Sequence, residues 1–166
     1  MGLCPTTPTE VRLGFCRIDP RRFRGQLITA RFGSPWGATL PKVPVIAIVD
    51  DDESFRRATA SFIRSLGYSV FQFASAQTFL KSDYLDNTDC VISDVQMPGM
   101  NGIELQNELI AQGRRLPIIF VTAFPEMNAR SRALAAGAIG FLAKPFSDVE
   151  LIACVNTALA ASGGLK

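Results

Sequence analysis

Four short stretches carry side chains that could act together on one ligand. Asp50-Asp51-Asp52-Glu53 is an unbroken acidic run and Asp94 follows Cys90-Val91-Ile92-Ser93. Thr122-Ala123 follows residues 117–121, and Lys144-Pro145 follows residues 139–143. Carboxylates crowded into one pocket repel: two unit charges ~4 Å apart cost about 4 kcal/mol at an effective dielectric near 20. Such a cluster calls for a cation. Oxygen donors suit a hard ion, and few protein ligands with room for water suit Mg²⁺ better than Ca²⁺. A metal, an ammonium and a hydroxyl together meet the needs of a phosphoryl group, because they offset charge on its oxygens. A carboxylate beside them can act as nucleophile and form an acyl phosphate. Each residue alone reads better as a turn, a helix cap or a surface lysine. Their joint occurrence at successive strand ends is what points to a site.

The segments between these residues alternate strand and helix. Residues 43–49 form an apolar, β-branched-rich run interrupted by Pro44, and such a run without alternation suits a strand covered on both faces. Phe55, Ala58, Phe62, Ile63 and Leu66 recur at helical spacing, and Gly67 ends that helix. Residues 68–73 read as a second strand, and Ser75 caps a helix through Leu80. Residues 90–93 form a third strand that ends at Asp94. Asn101 caps a helix carrying Ile103, Leu105, Leu109 and Ile110, with Glu104 near its positive end. Residues 117–121 give a fourth strand, residues 127–136 a fourth helix stopped by Gly137, and residues 139–143 a fifth strand. Ser147-Asp148-Val149-Glu150 is a capping box that opens a last helix through Ala161. Five strands alternating with five helices predict a doubly wound parallel α/β sheet with right-handed crossovers. In such a sheet ligands bind beyond the carboxyl ends of the strands, where all four polar stretches fall.

Composition narrows the alternatives. The chain has 166 residues, 48% hydrophobic and 19% charged, which is globular and not disordered. It has no histidine, so His-metal sites and His-assisted nucleophiles are excluded. Cys4, Cys16, Cys90 and Cys154 lack CxxC spacing and read as reduced thiols of a cytoplasmic protein. No apolar run reaches the ~18 residues that span a bilayer, and no signal peptide or membrane insertion is expected. Charge is uneven. Residues 1–42 hold seven basic and two acidic residues, a net of +5, against −3 for the remainder. Residues 1–42 also carry prolines and glycines with little periodicity and read as a mostly unstructured extension. The arginines show no motif or aromatic interleaving, so a solvated arm is favoured over nucleic-acid binding. Neither a GxGxxG nor a P-loop follows any strand, which argues against a nucleotide.

Residues 43–163 resemble the receiver domain of two-component response regulators. The resemblance rests on Ile48-Val49-Asp50-Asp51-Asp52-Glu53, Val91-Ile92-Ser93-Asp94-Val95-Gln96-Met97-Pro98-Gly99-Met100-Asn101-Gly102, Val121-Thr122-Ala123 and Phe141-Leu142-Ala143-Lys144-Pro145-Phe146. The wording is most similar to nitrogen-fixation-type regulators. The resemblance implies a flavodoxin-like five-stranded sheet in the order 2-1-3-4-5. It implies that Asp94 accepts a phosphoryl group from a histidine kinase or histidine phosphotransfer protein. It also implies that Asp50, Asp51, Asp94 and the Gln96 carbonyl hold Mg²⁺, and that Thr122, Ala123 and Lys144 bind phosphoryl oxygens. Phe141 matches the aromatic switch position, and a cis Lys144-Pro145 peptide is implied as well. No enzymatic activity is expected beyond self-catalysed phosphoryl transfer and slow self-dephosphorylation.

The expected output follows from the same resemblance. Thr122 would move toward the phosphoryl group and Phe141 would turn inward, carrying residues 124–128 along. The surface of the fourth helix, fifth strand and fifth helix would change, offering a face to a downstream protein or a second receiver. With no output domain after Ala161 the chain reads as a stand-alone receiver, residues 164–166 being a tail. Two rivals stand beside this reading. Asp50-x-Asp52-x-Ser54 imitates the nucleophile motif of haloacid-dehalogenase-type phosphohydrolases, with Asp50 as nucleophile. A receiver-like interaction module that is never phosphorylated, its basic arm binding nucleic acid, is the other.

Overall fold

The structure, a computed structural model, describes residues 42–163. The expectations for the basic extension, for Cys4 and Cys16, and for the tail 164–166 lie outside the described residues. Eleven elements follow one another as β1 Val45–Val49, α1 Glu53–Ser65, β2 Ser69–Phe73, α2 Ala76–Leu80, a 3-10 turn Leu85–Asn87, β3 Cys90–Asp94, α3 Gly102–Ala111, β4 Ile118–Thr122, α4 Met127–Ala135, β5 Gly140–Ala143 and α5 Asp148–Gly163. All strand pairs are parallel and the sheet order is β2-β1-β3-β4-β5. This is the doubly wound, flavodoxin-like arrangement that the alternation and the resemblance predicted.

Local signals set the ends. Asp52 caps α1, its carboxylate accepting from the Ser54 and Phe55 amides at 2.8 and 3.3 Å. Asn101 and Glu104 form a reciprocal capping box on α3, each bond 2.9 Å long, and Ser147 with Glu150 forms another at α5. Each such cap satisfies amides that the first helical turn leaves without partners and contributes about 1 kcal/mol. β1 begins at Val45 and not at Val43. Pro44 has no amide to give, whereas the Val45 N–H donates to the buried Asp89 carboxylate at 2.9 Å.

The sheet is covered on both faces. Ala47, Val49, Val91 and Phe120 face one side with residues of α2, α3 and α4, including Phe79, Leu105, Leu109 and Ala133. Ile46, Ile48, Ile92, Ile119 and Val121 face the other with Ala60, Ile63, Leu151 and Val155 of α1 and α5. Successive strand residues point to opposite faces, so an uninterrupted apolar run is what two-sided burial requires. Three of the apolar positions that marked these helices are on the outside: Ala58 and Leu66 of the first stripe and Ile110 at the end of α3. Thr59 and Ala60 are buried on α1. Cys90 and Cys154 are both free thiols.

Candidate functional site

The strand register sets the polar residues side by side. Val49 pairs with Ser93, Asp94 with Val121, and Thr122 with Ala143, so four strands end almost level. Asp50, Asp94, Thr122 and Lys144 therefore crown the same edge of the sheet. The Lys144 amide continues the ladder one step further, donating to the Thr122 carbonyl at 2.7 Å. The Lys144–Pro145 peptide is cis, as the resemblance implied.

At this edge one cation meets two carboxylates. Lys144 Nζ donates to Asp50 Oδ2 at 2.7 Å and to Asp94 Oδ2 at 2.9 Å. The second oxygen of each acid accepts a backbone amide, Asp52 N–H to Asp50 Oδ1 at 2.8 Å and Gln96 N–H to Asp94 Oδ1 at 2.9 Å. Asp51 joins them: carboxylate oxygens of Asp50, Asp51 and Asp94 lie within 4.8 Å of one another. Asp50 is buried and Asp51 exposed, so the cluster has a protein side and an open side. Burial raises the Asp50 pKa, and the Asp94 charge adds to it, against the Lys144 hydrogen bond and the Asp52 amide, which lower it. Burial also opposes the charge on Lys144, but the hydrogen bonds and charges of Asp50 and Asp94 outweigh it and raise its pKa.

Three oxygen-bearing acids against one ammonium leave a net negative site with water access. That donor set fits a hard divalent cation, with Asp50, Asp51 and Asp94 as the residues able to hold it. Gln96 is exposed beside Asp94 and tied to it through its amide.

Thr122 is buried, and its hydroxyl engages the backbone of Phe124, accepting from the amide at 3.2 Å. It thereby fastens the start of the β4–α4 loop, while Ala123 is exposed next to it. Phe141 departs from the expected resting position. Its side chain is already inside, 7% exposed and 6.2 Å from the Phe120 ring. The inward turn expected of Phe141 is thus not a movement that starts from this arrangement.

Three contributors carried no site role in the sequence reading. Phe55, read there as part of the apolar stripe of α1, places its ring face 3.8 Å from Lys144 Nζ. Arg56 Nη1 donates to the Asp50 carbonyl at 2.5 Å. Gly102 lies where a Cβ would come within 2.2 Å of the Asp94 carbonyl oxygen. An aromatic residue and an arginine one serine beyond an acidic run are the signal that could have flagged the first two; for Gly102 it was its place behind a cap residue.

A five-stranded parallel sheet with three acids, a hydroxyl and a lysine at its carboxyl edge defines a receiver. In agreement, the family model for the response regulator receiver domain matches residues 46–156, and the chain belongs to that family. It is 40% identical over 114 residues to nodulation protein W of Bradyrhizobium diazoefficiens, covering 69% of this chain and 50% of that protein. It is 35% identical over 123 residues to the transcriptional regulatory protein FixJ of Azorhizobium caulinodans, covering 74% and 58%. The chain spans about half the length of the curated relatives it matches. Among solved structures, the response regulator StyR superposes with a TM-score of 0.70 at 38% identity, covering 74% of this chain and 62% of that one. The FixJ N-terminal domain superposes with a TM-score of 0.65 at 30% identity, covering 72% and 95%. Among the described residues no helix is long and apolar enough to cross a membrane.

Proposed function

We propose that this chain is the phosphoacceptor of a two-component relay, with Asp94 as the acceptor and a histidine kinase or histidine phosphotransfer protein as the donor. The observation that carries the reading is the Lys144 ammonium of β5 bridging Asp50 of β1 and Asp94 of β3, with Asp51 beside them. A carboxylate oxygen of Asp94 attacks phosphorus while the bond from phosphorus to the donor nitrogen breaks, which gives an acyl phosphate and returns the donor histidine. Hydrolysis later releases inorganic phosphate and restores the acid. Bound Mg²⁺, held by Asp50, Asp51, Asp94 and the Gln96 carbonyl, would supply charge compensation for the transferring oxygens. Lys144 turns from a carboxylate oxygen to a phosphoryl oxygen, and the Thr122 hydroxyl and Ala123 amide take others. The protein acts on no other substrate in this reading. Of the two buried acids Asp94 is the reachable one, its side chain 12% exposed against 1% for Asp50. That difference disfavours Asp50 as the nucleophile of a phosphohydrolase.

When Thr122 leaves the Phe124 backbone for the phosphoryl group, the β4–α4 loop loses its fastening. The face of α4, β5 and α5 exposes Met127 at 80% and Val149 at 75%, which suits a downstream protein or a second receiver in the cytoplasm. The test is direct. Incubated with acetyl phosphate and Mg²⁺, the wild-type protein takes up one phosphoryl group, and Asp94→Asn and chelation with EDTA each abolish it. Label retained in Asp94→Asn but lost in Asp50→Asn would overturn the assignment in favour of the phosphohydrolase.

A further inference from the structure

Lys144 has a third partner besides the two acids. Its Nζ sits 3.8 Å from the centroid of the Phe55 ring, a distance at which the negative face of the ring attracts the cation. The ring is held firmly. The Phe55 amide is fixed by the Asp52 cap, and the ring meets Phe146 at 6.0 Å with the planes 85° apart. Both rings pack on the core face that contains Ile48 and Leu151. α1 and the loop after β5 thus present one aromatic plate to the ammonium from outside the acidic cluster.

The plate differs in kind from the carboxylates. Phosphoryl transfer requires Lys144 to give up one acid oxygen, and its four-carbon stem has freedom to wander when it does. A ring face attracts a cation but neither ligates a hard metal nor accepts a strong hydrogen bond. Its pull therefore persists while the oxygen partners of Lys144 are exchanged. We propose that Phe55 is a positioning residue, its ring holding the Lys144 ammonium at the phosphoryl-binding position while Asp94 changes from carboxylate to acyl phosphate. The inference rests on the phosphoacceptor reading above and adds to it the residue that orients the lysine.

The test replaces the ring in steps and follows the transfer from acetyl phosphate to Asp94, in which acetate leaves as the new oxygen–phosphorus bond forms. Phe55→Leu slows labelling at saturating Mg²⁺ by about five- to thirtyfold, the range that a partly desolvated cation–π contact commands. Phe55→Trp, with a stronger face, keeps it within about twofold of wild type. Pentafluorophenylalanine at position 55 keeps the shape and inverts the face, and labelling falls as in the leucine variant. A second readout needs no phosphate. The ε-methylene protons of Lys144 resonate upfield in wild type through the ring current, keep that shift in the tryptophan variant, and lose it in the leucine variant. Wild-type rates in both the leucine and pentafluorophenylalanine proteins, with Asp94→Asn unlabelled, would remove the role of Phe55 and leave the phosphoacceptor reading standing. Slowing by leucine but not by pentafluorophenylalanine would reduce Phe55 to packing. Absence of label on the wild-type protein would remove both readings at once.

Discussion

Asp50 is the residue at which function costs the fold most plainly. It is buried, close to another carboxylate, and its pKa is raised by burial first and by the Asp94 charge in addition. A folded value above the ordinary 3.8 means that the native state binds more protons than the unfolded chain between the two values. The ionised group therefore weakens the fold at neutral pH, and its contribution improves as pH falls into that window. Asp50→Asn is expected to stabilise the metal-free protein by about 1 kcal/mol at pH 7, the scale of an ordinary single substitution. Urea unfolding in EDTA measures it, and the gain over wild type shrinks as pH is lowered toward 4, on the order of the ordinary carboxylate pKa. Lys144 has the opposite sign. Its raised value contributes stability that is complete below 10.5 and lost only at higher pH. The acids and the lysine were legible because charged residues at strand ends need a reason to be there. Phe55 was not, because an apolar residue on an amphipathic helix already has a sufficient explanation in burial.

Among the elements, the β3–α3 connection fixes Asp94, the acceptor proposed above. Gly102 opens α3, donates its amide to the Val95 carbonyl at 3.0 Å, and passes directly under the end of β3. A methyl group there would meet the Asp94 carbonyl oxygen at 2.2 Å and the Phe120 ring at 3.0 Å. Gly102→Ala is expected to cost about 1–3 kcal/mol, as overpacking of a tight interior does. It should also slow labelling of Asp94, because the strand end that carries the acid must shift. Chemical denaturation and the acetyl phosphate assay read the two effects separately. Element types were legible in the sequence because capping residues and periodicity agree at each boundary, as at Ser75, Asn101 and Ser147. The 3-10 turn Leu85–Asn87 was not, since its three residues are too few to display a period. The exposure of Ile110 and Leu66 also escaped the reading: each sits in the last turn or just past it, where the helix face drifts off the sheet.

For the whole molecule, the sheet order β2-β1-β3-β4-β5 decides when the site can exist. Among the described residues no strand pairs through a hairpin, and every parallel contact closes over an intervening helix. Lys144 and Asp50, 2.7 Å apart in space, are 94 positions apart along the chain. Closing so long a loop carries more entropy cost than any pairing of neighbouring strands, and non-local contacts of this kind slow folding. During refolding from urea, competence to take label from acetyl phosphate is therefore expected to trail the recovery of helical circular dichroism; coincidence of the two would show β5 docking with the rest. A nascent or nicked molecule lacking β5 would display its aspartates without the ammonium that makes them useful. On the phosphoacceptor reading proposed above, competence to take label would thereby be confined to copies that have finished folding, with the lysine as an internal certificate of completeness.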